Sequence, residues 1–230
     1  MRVKHSVILK SILLACFTIV CLFCFARAGG SSSTGMGFWK IIIFIFLLPF
    51  ILIYAAIRSF YLSNRKNKAN RLIEKLAQND GAWAQRDMTA KAEETFLIVQ
   101  KAWVERNLDI AKDHITPRLY TKYKFQTDDM TARGVKNILQ DIKVEKIDIF
   151  SVGDYKDDAR DTFSARISGT MLDYEVDEAT GAVIKGDRDK THYFEDIWVF
   201  IRQQNAWVAD DVDNDVTIED IRKGQASSEG

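Results

Sequence analysis

Cysteine is scarce in this 230-residue chain: there are three, Cys16, Cys21 and Cys24, and none follows residue 24. That excludes a disulfide framework and a thiolate zinc site from everything downstream. Histidine is as rare, with only His114 and His192 beyond the first few residues. Asp113 precedes His114, but adjacent residues on a helix point apart, so no pair is implied and a surface or capping role is expected. No basic stripe interleaved with aromatics follows Lys75, so nucleic acid is not an expected partner. Asp211-Val-Asp-Asn-Asp215 alternates acids as a calcium loop does. Val216 stands where the turn glycine belongs and Arg222 where the bidentate acid belongs, so the segment reads as a solvated acidic strand end. No metal and no cofactor is expected, and there are no internal repeats.

An excess of either charge is absent from the total, with 32 basic and 32 acidic residues. The balance hides a division: residues 1–75 hold eleven Lys and Arg against one acid, Glu74, while residues 76–230 hold 21 against 31. A basic neck therefore precedes an acidic body. Anionic lipid attracts such a neck by roughly 1 kcal/mol per basic residue near the surface, and Arg65, Lys66, Lys68 and Arg71 are the expected membrane-surface residues.

Charge is missing altogether from residues 41–57, which run between Lys40 and Arg58. At about 1.5 Å per residue this core covers roughly 26 Å, and the flanking Lys, Arg, Trp39 and Tyr61 extend it to bilayer thickness. Residues 38–62 are read as a transmembrane helix, with Pro49 tolerated inside it. Residues 1–28 have a basic start, a short apolar run and Ala26-Arg27-Ala28, the pattern of a cleaved signal peptide, with an uncleaved first membrane helix as the alternative. Either way the C-terminal domain lies inside, in agreement with the basic residues after the span. Residues 29–37 form a Gly/Ser linker, 63–87 the neck, 88–215 one domain of common size, and 216–230 a polar tail.

Within the domain, Ala92, Phe96, Val99 and Trp103 recur at helical spacing, predicting a helix over 89–107 with Thr89 as its cap. A short helix is expected over 108–114. Thr116-Pro117 then starts another, Thr as cap and Pro at the first position, with Leu119, Tyr123 and Met130 on one side and Gly134 at its end. From there the period is two, predicting strands over 144–152, 162–176, 191–203 and 206–212, with turns at 177–181 and 203–206. Apolar parity flips near Gly169, from Phe163, Ala165 and Ile167 to Leu172, Tyr174 and Val176, which requires a bulge or bend. The strand around Trp198 is apolar on both parities. One face must therefore be covered by the neck (Leu72, Ile73, Leu76 and Trp83 are candidates) or by a second molecule, which leaves homo-oligomerisation open. The predicted class is α+β: an N-terminal transmembrane helix, then helices packed on a curved antiparallel four-stranded sheet.

Residues 96–120 (Phe-Leu-Ile-Val-Gln-Lys-Ala-Trp-Val-Glu-Arg-Asn-Leu-Asp-Ile-Ala onward), 174–186 and 194–212 (with Glu-Asp-Ile-Trp-Val-Phe-Ile-Arg and Ala-Trp-Val) resemble the Tim44-like domain family. The resemblance covers about half of the chain and is carried mostly by aliphatic and aromatic spacing. It implies a cone of the nuclear-transport-factor-2 type, with a hydrophobic pocket and no known catalysis. Among the members, the chain is most similar to the bacterial inner-membrane proteins. It departs from the mitochondrial import scaffold in having a span and in lacking the long chaperone-binding region. The expected pocket lining is Phe96, Val99, Trp103, Leu119, Tyr123, Phe163, Ile167, Trp198, Phe200 and Trp207. The function this implies is a non-enzymatic, membrane-tethered binding module for a protein partner or a translocating segment, on the cytoplasmic side of a bacterial inner membrane. The alternatives are capture of a lipid or small apolar ligand in the cone, and an enzyme with Asp173, Tyr174 or Asp196 as general base.

Overall fold

The computed structural model describes residues 35–213 and 227–228. The signal-like start, the three cysteines and most of the linker and tail lie outside the described residues. The first element, α1, runs Gly35–Leu76 and continues through Pro49. The chain divides into two compact units, Met1–Ala55 and Ala56–Gly230. In the first, apolar side chains such as Phe44, Ile45, Phe46 and Ile53 are exposed. Among the described residues one helix is long and apolar enough to cross a membrane.

The second unit contains the rest of α1 and everything after it. A 3-10 turn at Gly81–Trp83 is capped by the Asp80 carboxylate, which accepts from the Ala82 N–H at 2.9 Å. The chain enters α2 (Gln85–Glu105) directly from that turn, so Ala84 is the cap and the expected cap Thr89 lies inside the helix. Trp83 fixes the entry. It is buried edge-on to Trp207, with ring centroids 5.0 Å apart, and Trp207 Nε1–H donates to Ala82 O. The short helix expected over 108–114 is a 3-10 turn, Leu108–Ala111. Helix α3 (Pro117–Ala132) starts as the sequence predicts, with Thr116 Oγ1 accepting from Leu119 N–H and Pro117 in the first turn. Gly134, at φ 63°, turns the chain out of it into the sheet.

Four long antiparallel strands follow: β1 (Val135–Asp154), β2 (Thr162–Asp177), β3 (Val183–Gln203) and β4 (Ala206–Asp213). A two-residue β5 (Ser227–Ser228) pairs in parallel with Gly153 and Asp154, giving the order β4-β3-β2-β1-β5 in an open sheet. β1 starts nine residues earlier than predicted and β3 eight earlier. The added segments carry Lys136, Asp141, Asp187, Arg188 and Lys190, whose charges hide the alternation that pairing with β2 imposes. The face change near Gly169 is produced on the neighbouring strand. β1 shifts register between Gln140 and Lys143 and between Val144 and Lys146, opposite Gly169, while β2 stays in step with β3 there.

The main core gathers Phe96, Leu119, Phe163, Ile167, Trp198 and Phe200 from α2, α3 and the helix-facing side of the sheet, with Ala69, Ile73 and Trp83 joining it. Rings interlock within it: Phe163 stacks on Phe200 at 4.5 Å, and Phe96 meets Trp198 edge-on at 5.7 Å. The opposite face of β3 is covered as the sequence requires, but by a residue not among the candidates. Leu62, like Val199, packs against the cluster of Phe150 and Ile197, whereas Ile73 and Trp83 belong to the main core.

Charges reinforce that contact. Arg58 pairs with Glu195, Lys66 Nζ lies 2.6 Å from Asp148 Oδ1, and Arg166 bridges the two acids, at 2.6 Å from Asp148 and 3.4 Å from Glu195. Burial alone would raise the Asp148 carboxyl. Hydrogen bonds from Lys66, Lys146 and Arg166 outweigh it and hold Asp148 well below the usual carboxylate range.

Candidate functional site

A cleft of about 800 Å³ opens between the helix-facing side of the sheet and helices α2 and α3. One wall is Val99, Trp103, Tyr123 and Met130; the sheet supplies Asn137, Met171, Phe194 and Trp198. Helical spacing puts Val99 and Trp103 on the same face of α2, and the strand period puts His192, Phe194, Asp196 and Trp198 on the same face of β3. Trp103 and Tyr123 meet edge-on at 5.5 Å. Trp103 Nε1–H donates to Asn137 Oδ1 at 3.2 Å, and Asn137 Nδ2–H donates to Asp173 Oδ1 at 2.8 Å, so one amide positions an aromatic and an acid together.

Of the ten side chains expected to line a pocket, Val99, Trp103, Tyr123 and Trp198 do so. Phe96, Leu119, Phe163, Ile167, Phe200 and Trp207 are instead packed into the core, Phe96, Leu119 and Phe200 with no exposed surface. The three candidate bases, Asp173, Tyr174 and Asp196, all lie in the cleft. His192, read from sequence as a surface residue, stands there too, with its Nε2 buried. Its parity with Trp198 is the sequence signal that would have found it. Asn137 had no such signal, because the start of β1 is masked by charge. His114 is half-buried elsewhere, its Nδ1 3.1 Å from Lys91 Nζ, and burial and Lys91 push its pKa down. Of the basic residues after the span, Lys66 is held on Asp148, burial lowers the Arg65 pKa, and Lys68 and Arg71 are exposed.

Asp196 is the most perturbed carboxyl in the cleft. It is 7% exposed, and burial pushes its carboxyl up to about 6, with Asp213 and Glu195 adding to the rise and the Trp198 indole opposing it. Burial also raises the Tyr123 phenol, with Asp196 and Asp211 contributing, so it stays protonated. Because the folded Asp196 holds its proton more tightly than the unfolded chain does, its contribution to stability is present below about pH 4 and is lost as pH rises through 6. Asp196→Asn is therefore expected to stabilise the protein by about 2 kcal/mol at pH 8 and to be neutral at pH 4, in urea melts of the detergent-solubilised full chain.

A family model for the Tim44-like domain matches residues 69–214. Among solved structures, the intermembrane space region of the chloroplast protein ARC6 is similar at 11% identity with a TM-score of 0.39, covering 54% of this chain and 94% of that one. No curated protein sequence matches the chain.

Proposed function

The chain belongs to the Tim44-like domain family, and from that premise we propose that it is a membrane-tethered, non-enzymatic binding module, an adaptor that holds a protein partner or a translocating segment at the membrane. Tim44-like domains are generally non-catalytic binding modules. One candidate apolar helix together with such a domain fits a membrane-anchored protein. The positive residues following the span favour a cytoplasmic domain on a single-pass bacterial inner-membrane protein, and the exposed Lys68 and Arg71 are the proposed contacts for anionic headgroups.

The observation that carries the reading is the cleft: aromatic walls beside a few fixed polar groups, the make-up of a recognition site. Two other readings each have one observation in their favour. The apolar wall of Val99, Trp103 and Met130 suits a lipid chain or small apolar ligand. The Asp196 carboxyl, held at about 6, suits a general base.

Affinity capture from solubilised membranes, combined with native mass spectrometry, separates the three. The full-length protein is expected to retain a polypeptide partner that Trp103→Ala loses, with the fold intact by melting temperature. A bound lipid as the sole companion would replace the adaptor reading with the lipid one. Turnover of an added metabolite that Asp196→Asn abolishes would replace it with the enzyme reading.

A further inference from the structure

The sheet face turned away from α2 and α3 carries a cluster of charge. Two carboxylates, Asp148 on β1 and Glu195 on β3, meet four cations: Arg58 and Lys66 from α1, and Lys146 and Arg166 from the sheet itself. Lys66 and Lys146 reach Asp148 at 2.6 and 2.9 Å, and Arg166 stands between the two acids. Each acid therefore has one partner on α1 and another on the sheet. Were Arg58 and Lys66 to leave, Asp148 would keep Lys146 and Arg166, and Glu195 would keep Arg166 and the Tyr193 hydroxyl at 3.3 Å. Asp148 is 5% exposed, yet its charge is not stranded, which removes the usual penalty for breaking an ion pair with a buried member.

Little apolar packing holds the same α1 segment down. Phe60 and Tyr61 are exposed, and Leu62 is the side chain that joins the small cluster of Phe150 and Ile197. The following stretch of α1 is different: Ala69 and Ile73 are buried in the main core, with Leu72 and Leu76 packed on it. Between the two anchorages stand Ser63, Asn64 and Asn67, poor helix formers whose side chains compete for backbone hydrogen bonds. A helix fixed from residue 69 onward can bend there. Arg58 is also the first charge after the uncharged residues 41–57, which puts it at headgroup depth when that run crosses a bilayer. The Arg58 and Lys66 side chains are 28% and 40% exposed, so anionic headgroups can compete for both.

We infer that residues 58–66 are a releasable ionic strap: anionic phospholipid draws Arg58 and Lys66 off Glu195 and Asp148, and the strap lifts from Phe150 and Ile197. The inference rests on the membrane-tethering part of the proposed function and not on what the cleft holds. Glu195 also lines the cleft, next to Asp196, so the state of the strap reaches the binding site.

The test uses the full-length protein in nanodiscs, with Cys16, Cys21 and Cys24 changed to alanine and Ile197→Cys as the reporter. A water-soluble maleimide measures how fast residue 197 is labelled. Labelling is expected to be slow in phosphatidylcholine discs, where Leu62 covers the site, and at least about tenfold faster in phosphatidylglycerol discs. Arg58→Gln with Lys66→Gln is expected to label fast in both and to keep its melting temperature, since both acids retain partners. Val152→Cys, in the main core, is the control that stays slow throughout. Inorganic phosphate added to the neutral discs is expected to leave residue 197 slow. Val199→Cys repeats the measurement should Ile197→Cys lower the melting temperature. Equal rates in the two kinds of disc, or a collapse of the melting temperature in the double variant, would overturn the strap and leave the adaptor reading in place. Phosphate acting as well as the lipid would overturn the headgroup as the competitor. Recovery of the protein outside the discs would overturn the tether and the strap with it.

Discussion

Gly169→Ala is expected to cost the fold about 3–5 kcal/mol, enough to lower the melting temperature sharply or to abolish soluble expression. A Cβ at this position would lie 1.9 Å from Lys143 O and 3.0 Å from the carbon of the same carbonyl. Both atoms are backbone, on the bulged stretch of β1, and cannot swing aside as a flexible side chain would. Phe194 closes the third side, with its Cε1 3.1 Å away. Relief would require β1 to straighten, and the bulge is where the sheet changes the face it buries. Gly81→Ala is the control: a Cβ there meets nothing within 4 Å, and no measurable loss is expected. Thermal melts of the two variants side by side check the prediction.

Arg202→Ala is expected to cost a similar amount, about 3–5 kcal/mol. Arg202 is 5% exposed, and its guanidinium meets Asp161, itself 1% exposed, at 3.2 Å. It also meets Asp80 and donates to Asn205 Oδ1 at 2.9 Å. Burial pushes the Asp161 carboxyl up even with the arginine in place, so removing that partner leaves an acid with little solvent and only the Tyr155 N–H on its Oδ1. The same arginine ties the turn after α1, through Asp80, to the end of β3. Its loss is expected to loosen the entry to α2 as well. Adding Asp161→Asn should recover part of the loss, and a double-mutant cycle in urea gives the coupling between the two.

Much of this architecture was legible in the sequence because two periodicities dominate it. The 3.6-residue spacing of Ala92, Phe96 and Val99 and the Thr116-Pro117 start signal located α2 and α3, since each buries one stripe against a sheet. The double parity around Trp198 required cover on both faces, and Leu62 supplies the second. The parity flip at Gly169 was equally legible, but its cause was not: a single strand does not show that its neighbour bulges over it. The early halves of β1 and β3 were hidden by their charges, and with them Asn137 and Lys185 in the cleft. Aromatic content alone separated core from lining poorly. Trp103 and Phe96 lie on one helical stripe, yet only the half-buried Trp103 reaches the cleft, because the sheet closes over Phe96.

The central claim is that this cleft holds a polypeptide at the membrane, and photocrosslinking in intact membranes tests it most directly. A photoreactive amino acid replacing Trp103 in the full-length chain is expected to form adducts with a polypeptide. The same probe at Phe125, 75% exposed on α3, serves as the reference for random encounter. Adducts at residue 103 with lipid alone, or polypeptide adducts no more frequent there than at residue 125, would contradict the account.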